Sequence, residues 1–271
     1  MDSWVDGQPA DALSLKDRGL AYGDGLFETI AVHNGAPVLL DRHLVRLVEG
    51  CQRLAINLDH SALCSELSSY ARALGEGVLK LIVTRGDGLR GYAPDPLAQA
   101  RRIMQGSPPA AYPLANAEQG VRLFPCSTRL SRQPLLAGLK HLNRLEQVIA
   151  RSEWQDTEHG EGLMLDQAGR VIECVFSNLF LVRDGVLITA DLKRCGVAGV
   201  MRAELLFQAE SLGIPTQITD ISLDQLQWAD EVFVCNSVYG VWPVRACAAL
   251  RWPVGSLTRK LQTIARALLD T

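Results

Sequence analysis

A chain of 271 residues that is 48% hydrophobic can bury one large core or two smaller ones, and its net charge of -3 offers nucleic acid no overall basic surface. Most of the 27 basic residues are arginines, scattered with no run beyond Arg101-Arg102, a pattern that suits surface pairing and a few bidentate anion contacts. The seven cysteines form no Cys-x-x-Cys pair and read as reduced thiols, and the five histidines are too dispersed for a metal site. The acidic start Met1-Asp2-Ser3-Trp4-Val5-Asp6 lacks an apolar signal core, and no apolar run has the length of a membrane span. Together these features predict a cytoplasmic protein with no nucleic-acid, membrane or metal partner.

In chain order, Leu26 to Val32 reads as a strand, Arg42 to Ala55 and Ala62 to Leu74 as helices, and Val78 to Thr84 as a second strand. Leu44, Leu47, Val48 and Cys51 fall on one helical face. Gln105-Gly106-Ser107-Pro108-Pro109-Ala110-Ala111-Tyr112-Pro113 reads as a linker or long loop, which sets a smaller domain at 1-110 and a larger one at 111-271 that carries Lys140. Val121 to Cys126 is a predicted strand, and Asn143 is placed to cap a helix over Arg144 to Trp154. Gly162 to Ala190 reads as several short strands, with Asp184-Gly185 a hairpin turn. A helix over Gly199 to Leu212, a buried strand over Glu231 to Cys235 and an amphipathic helix over Leu257 to Leu269 complete a mixed α+β chain of two domains.

Gly86-Asp87-Gly88-Leu89-Arg90-Gly91 matches Gly-x-Gly-x-x-Gly, but a dinucleotide fingerprint must open into a helix, and Pro94 and Pro96 forbid one. The segment reads as a loop from which Arg90 and Tyr92 can reach a substrate. No Walker loop and no Gly-x-Ser-x-Gly elbow occurs.

Only Lys16, Lys80, Lys140, Lys193 and Lys260 are lysines. Lys16, Lys193 and Lys260 sit in polar surroundings, and Lys80 faces either inward or to water from its strand. Lys140 follows Pro134-Leu135-Leu136-Ala137-Gly138-Leu139, and an apolar approach favours the neutral amine that a nucleophile needs. Its other reading is a surface lysine before a helix. Glu173 interrupts the apolar run Val171-Ile172-Glu173-Cys174-Val175-Phe176, either as a strand residue on a solvent face or as a carboxylate for a protonated pyridine. The turn Cys195 to Gly199 before Val200-Met201-Arg202 can present helix N-H groups to an anion. Arg46 can add a bidentate clamp, and Asn236 and Ser237 can add donors; the plain alternatives are a surface arginine and a satisfied turn.

Asp17-Arg18-Gly19-Leu20-Ala21-Tyr22-Gly23-Asp24-Gly25-Leu26-Phe27-Glu28, His43-x-x-Arg46-Leu47, Glu173 with Ser177-Asn178-Leu179-Phe180, and Gly199-Val200-Met201-Arg202 occur in this order along nearly the whole chain. Together they resemble the fold-type IV pyridoxal 5'-phosphate enzymes, which comprise branched-chain and D-amino acid transaminases and a lyase acting on aminodeoxychorismate. Lys140-His141-Leu142-Asn143-Arg144-Leu145-Glu146-Gln147 and the Arg85 to Tyr92 loop are more similar to the lyase than to the transaminases. The resemblance implies the two-domain fold of that family, pyridoxal 5'-phosphate as cofactor and a homodimer. It implies that 4-amino-4-deoxychorismate is cleaved to 4-aminobenzoate and pyruvate, with transamination or non-catalytic coenzyme binding as the rival activities. It further implies that Lys140 carries the cofactor as a Schiff base and Glu173 pairs with the pyridine nitrogen. Arg46 and the N-H groups of Val200 and Met201 would bind phosphate, with Asn178, Asn236 and Ser237 contributing to the same cofactor site. Thr29 would lie near the reacting substrate, and Arg90 with Tyr92 would bind it. The transaminases carry threonine where Met201 stands, so only the backbone contact transfers there.

Overall fold

The computed structural model describes residues 2–270. They divide into two compact units: one runs to Ala110 and takes in Leu139–Asn143, and the other comprises Ala111–Gly138 with Arg144–Asp270. Lys140 therefore groups with the first unit, whereas the sequence reading assigned it to the second.

The first unit contains β1 (Trp4–Val5), β2 (Gln8–Pro9), α1 (Arg18–Tyr22), β3 (Gly25–His33), β4 (Ala36–Pro37), α2 (Leu40–Arg53), α3 (His60–Leu74), β5 (Gly77–Thr84) and β6 (Arg101–Ser107). Among the described residues its six strands form an antiparallel sheet in the order β2-β1-β6-β5-β3-β4. Side chains of β3 alternate, so Leu26, Glu28, Ile30 and Val32 are buried while Phe27 and Thr29 are only half-buried. Leu79, Leu81 and Val83 of β5 pair opposite the buried set and are themselves buried. Leu47 and Cys51 of α2 and Leu63, Leu67 and Tyr70 of α3 supply the helical part of this core. Each fully buried aliphatic side chain contributes about 1.5–3 kcal/mol. The predicted linker begins later than its composition suggested. Gln105, Gly106 and Ser107 finish β6 because they pair with Lys80, Leu79 and Val78 of β5, and a sheet partner overrides weak local propensity.

The second unit contains α4 (Leu114–Glu118), β7 (Val121–Leu130), α5 (Leu145–Ser152), β8 (His159–Asp166), β9 (Val171–Cys174), β10 (Asn178–Arg183), β11 (Val186–Ala190), α6 (Val200–Ser211), β12 (Thr216–Thr219), α7 (Leu223–Gln227), β13 (Glu231–Asn236), β14 (Gly240–Cys247), β15 (Leu250–Arg251) and α8 (Ser256–Leu269). Its nine described strands run β12-β11-β10-β13-β14-β7-β8-β9, with β15 beside β14. The β7 pairs with β8 and β14 and the β11–β12 pair are parallel, and the remaining pairs are antiparallel. Asp184 and Gly185 both adopt positive φ, 50° and 77°, as a two-residue turn between β10 and β11 requires. All of β9 and nearly all of β8 and β10 are buried, so these strands lose the alternation of a one-sided sheet. Helix α5 begins without the expected cap: Asn143 instead donates from Nδ2 to the Gly23 carbonyl at 3.0 Å, within the first unit. All seven cysteines are free thiols.

Candidate active site

In the second unit, burial removes Glu173 from any solvent face. It sits in β9 with 3% of its surface exposed, and its Oε2 accepts from the Val197 backbone N-H at 2.7 Å. The loop that carries Val197 is tied from two further sides. Asn178, at the start of β10, donates from Nδ2 to the Val197 carbonyl at 2.9 Å and accepts from the Gly199 N-H at 3.0 Å. Gly138 donates to the Gly196 carbonyl and accepts from the Ala198 N-H. Gly196 has φ +84°, and a Cβ there would stand 2.8 Å from Ile172 Cγ2 and 3.2 Å from Glu173 Oε2. A Cβ on Gly199 would stand 2.0 Å from Asn178 Oδ1. Both glycines are thus required by close approach, and Gly196 also by conformation.

This loop runs directly into α6, whose first turn has Gly199 as N-cap and no side-chain cap. The backbone N-H groups of the buried Val200 and Met201 lie at the positive end of a twelve-residue helix. Asn236 is close by in β13: its Nδ2 donates to the Phe176 carbonyl at 3.4 Å, while its Oδ1 accepts from Val238 and Tyr239 in a turn that includes Ser237. Glu173, Asn178, Val200 and Met201 are therefore brought together around one pinned loop, while Asn236 bonds to the Phe176 carbonyl and to its own turn.

In the first unit, Lys140 lies along the edge of β3. Its carbonyl accepts from Phe27 N-H at 2.9 Å, Leu142 N-H donates to Gly25, and Leu26 and His141 form an antiparallel bridge. The Lys140 Nζ stands 4.4 Å from the centroid of the Phe27 ring, and Lys80 Nζ stands 5.7 Å from the same ring. Thr29 is half-buried two residues along β3, paired opposite Lys80. Arg46 projects from α2 onto Glu28 of β3, with Nε to Oε1 at 2.8 Å and a second bond from Nη2 to Oε2. His43 joins the same carboxylate through Nδ1 at 2.6 Å. Burial pushes Glu28 up, but the Arg46 charge, followed by the hydrogen bonds from His43 and Arg46, brings it down to about 2. An ionised Glu28 only accepts, so Nδ1 of His43 carries the proton, and burial lowers the His43 pKa. Arg90 and Tyr92 are exposed on the loop after β5. Arg18 tethers that loop through the Gly91 and Tyr92 carbonyls at 3.0 and 2.9 Å, and the Tyr22 and Tyr92 rings lie 5.4 Å apart.

Residues 25–247 match the family of class IV amino-transferases. The chain belongs to that family. It is 40% identical to the aminodeoxychorismate lyase of Vibrio harveyi over 265 residues, covering 96% of this chain and 97% of that protein. The crystal structure of 4-amino-4-deoxychorismate lyase from Pseudomonas aeruginosa superposes with a TM-score of 0.98 at 65% identity, covering 99% of this chain and 100% of that one. The D-alanine aminotransferase of Bacillus licheniformis is 28% identical over 267 residues, covering 93% of this chain and 90% of that protein. The mixed α+β fold expected from the resemblance is thus the fold of the class IV family.

The residues present fit the coenzyme that the fold-type IV resemblance implies. A buried carboxylate in a glycine cradle suits a protonated ring nitrogen, and an uncapped helix N-terminus suits a phosphate. Lys140 supplies an amine of the required kind. Sequence reading quotes Glu28 and His43 within the family motifs but gives them no role, and it does not single out the buried Glu161. Glu28 did carry a signal, since it occupies a core-facing position between Leu26 and Ile30. Glu161 carried none beyond an acid next to an apolar run.

Proposed function

We propose that the chain is a pyridoxal 5'-phosphate-dependent lyase that converts 4-amino-4-deoxychorismate into 4-aminobenzoate and pyruvate, supplying a folate precursor. The observation that carries this reading is the contrast in likeness: 40% and 65% identity over nearly full length to two lyases, against 28% to a D-alanine aminotransferase. When bound, the coenzyme supplies an electron sink next to the carbon that bears the substrate amine.

In this reading Lys140 would hold the coenzyme through its side-chain amine, and the same amine would take the proton from the carbon that bears the substrate amine. The enolpyruvyl C-O bond breaks, the ring becomes aromatic, and Lys140 returns a proton to the departing fragment. Glu173 would keep a proton on the ring nitrogen, and its bond from Val197 N-H supports that role by fixing the carboxylate. The N-H groups of Val200 and Met201 would hold the phosphate, with Asn178 keeping their loop in register, and Arg46 is the guanidinium that the resemblance would add to that role. Asn236 and Ser237 line the same site as lesser contacts. Arg90 and Tyr92 recognise a substrate carboxylate, and Thr29 lies beside the substrate.

The protein is proposed to work as a cytoplasmic homodimer; among the described residues no helix is long and apolar enough to cross a membrane. Incubation with enzymatically prepared aminodeoxychorismate tests the activity. Equal amounts of 4-aminobenzoate and pyruvate are expected. Rapid amino exchange between 2-oxoglutarate and D-alanine or a branched-chain amino acid, with no 4-aminobenzoate, would establish the transaminase instead.

A further inference from the structure

Glu161 is a fully buried acid in β8 that the proposed reaction does not use. Its Oε1 accepts from the N-H groups of Gly162 at 2.8 Å and Val175 at 3.1 Å. Its Oε2 accepts from Phe176 N-H at 3.2 Å and from the Ser177 hydroxyl. Ser177 Oγ also meets the Tyr239 hydroxyl at 2.6 Å, and the Tyr239 ring stacks on Trp242 with centroids 3.7 Å apart. Val175 and Phe176 are the two residues between the paired Cys174 and Ser177, whose backbone bond from Cys174 N-H to Ser177 carbonyl measures 2.7 Å. One residue before this turn is Glu173, and one residue after it is Asn178. A single acid thus organises the short segment that joins two groups gripping the same Val197 loop.

We propose that Glu161 is a positioning residue: its carboxyl group gathers the Val175, Phe176 and Ser177 donors and so sets the separation of Glu173 from Asn178 around the Val197–Gly199 loop. The inference rests on the lyase reading, in which Glu173 meets the ring nitrogen and the loop leads to the phosphate. Burial pushes the Glu161 carboxyl up to about 8, opposed first by the Ser177 hydroxyl and then by the N-H groups. Protonated or not, it accepts from Gly162, Val175 and Phe176; only the direction of the Ser177 bond changes. Glutamine cannot replace it, because one of its two ends is an N-H donor that would confront either Gly162 and Val175 or Phe176 and Ser177.

The test compares holoenzyme of the wild type with Glu161→Gln and Ser177→Ala. Readouts are the coenzyme absorbance maximum, the pH midpoint of that band, coenzyme retention on dialysis, and kcat beside KM. The expected result for Glu161→Gln is a shifted band midpoint, retention weakened by about tenfold or more, and a fall in kcat larger than any change in KM. Ser177→Ala, which removes one donor and leaves the acid, should move the same readouts in the same direction by less. A lowered melting temperature with unchanged band, midpoint, retention and kcat would reduce Glu161 to ordinary core packing and overturn the proposal. If Glu161→Gln does not fold, Ser177→Ala decides by the same criteria. Borohydride reduction and peptide mapping of the wild type separates the two levels: coenzyme away from Lys140 refutes the lyase reading, while coenzyme on Lys140 with unmoved variants refutes only the role of Glu161.

Discussion

The Val197 backbone N-H donates to Glu173 Oε2 at 2.7 Å, and this bond couples the acid in β9 to the loop before α6. Asn178 holds the same loop by the Val197 carbonyl and the Gly199 N-H. The loop therefore cannot shift without disturbing both the carboxylate and the helix N-terminus.

Glu173→Gln should separate charge from shape. The amide oxygen can still accept from Val197, so the loop and the melting temperature should be little changed. The side chain can no longer hold a ring proton as an ion pair, and kcat should fall by about 100-fold or more. Steady-state assays of 4-aminobenzoate release alongside a thermal melt check this. Wild-type kcat in the variant would remove Glu173 from the chemistry.

Gly196→Ala should destabilise the second unit. The residue has φ +84°, and its Cβ would press on Ile172 and Glu173. Strain of this kind costs about 1–3 kcal/mol. Urea midpoints should fall accordingly, and coenzyme retention should weaken because the acid is displaced. An unchanged midpoint would mean that the loop yields more easily than its three anchors suggest.

Lys140→Ala should abolish covalent coenzyme attachment and turnover together while leaving the fold intact. The lysine side chain lies over the Phe27 ring rather than in a packed core, and the segment is held by backbone bonds that alanine keeps. Circular dichroism, the absorbance of the purified protein and product assays test all three statements. Full activity would refute the assignment of Lys140.

The Glu28 cluster should make stability fall on acidification. Glu28 titrates near 2 in the folded protein, below its unfolded value, so its contribution is present above about pH 4.5 and lost as pH drops toward 2. The lowered pKa of His43 acts in the same sense from about pH 6.5 downward, because the unfolded chain takes up that proton first. Glu28→Gln removes the carboxylate that Arg46 and His43 both bond and should cost about 3–5 kcal/mol at pH 7. Its stability profile should be flatter than the wild type's between pH 4.5 and 2. Urea titrations of both proteins at pH 7, 4.5 and 3 measure the difference, and parallel profiles would show that Glu28 is not the titrating group.

The strands, helices and turns of this chain were largely readable because periodicity and turn chemistry are local. Leu26 to Val32, Val78 to Thr84 and Glu231 to Cys235 each carry enough apolar pattern to announce a strand, and Asp184-Gly185 announces its own turn. The residue motifs likewise singled out Lys140, Glu173 and the glycines before α6 and pointed to the family. Three-dimensional pairing decided the rest. Gln105 to Ser107 look like linker until β5 lies beside them, and Asn143 looks like a cap until the Gly23 carbonyl claims it. Whether Glu173 meets water depended on neighbouring strands that bury β9 entirely, and the grip of Glu161 on Val175, Phe176 and Ser177 depended on where β8 lies against β9. A residue type and its spacing declare which bonds a side chain is able to make; which partner it finds across the chain is set by packing, and packing is a property of the folded molecule alone.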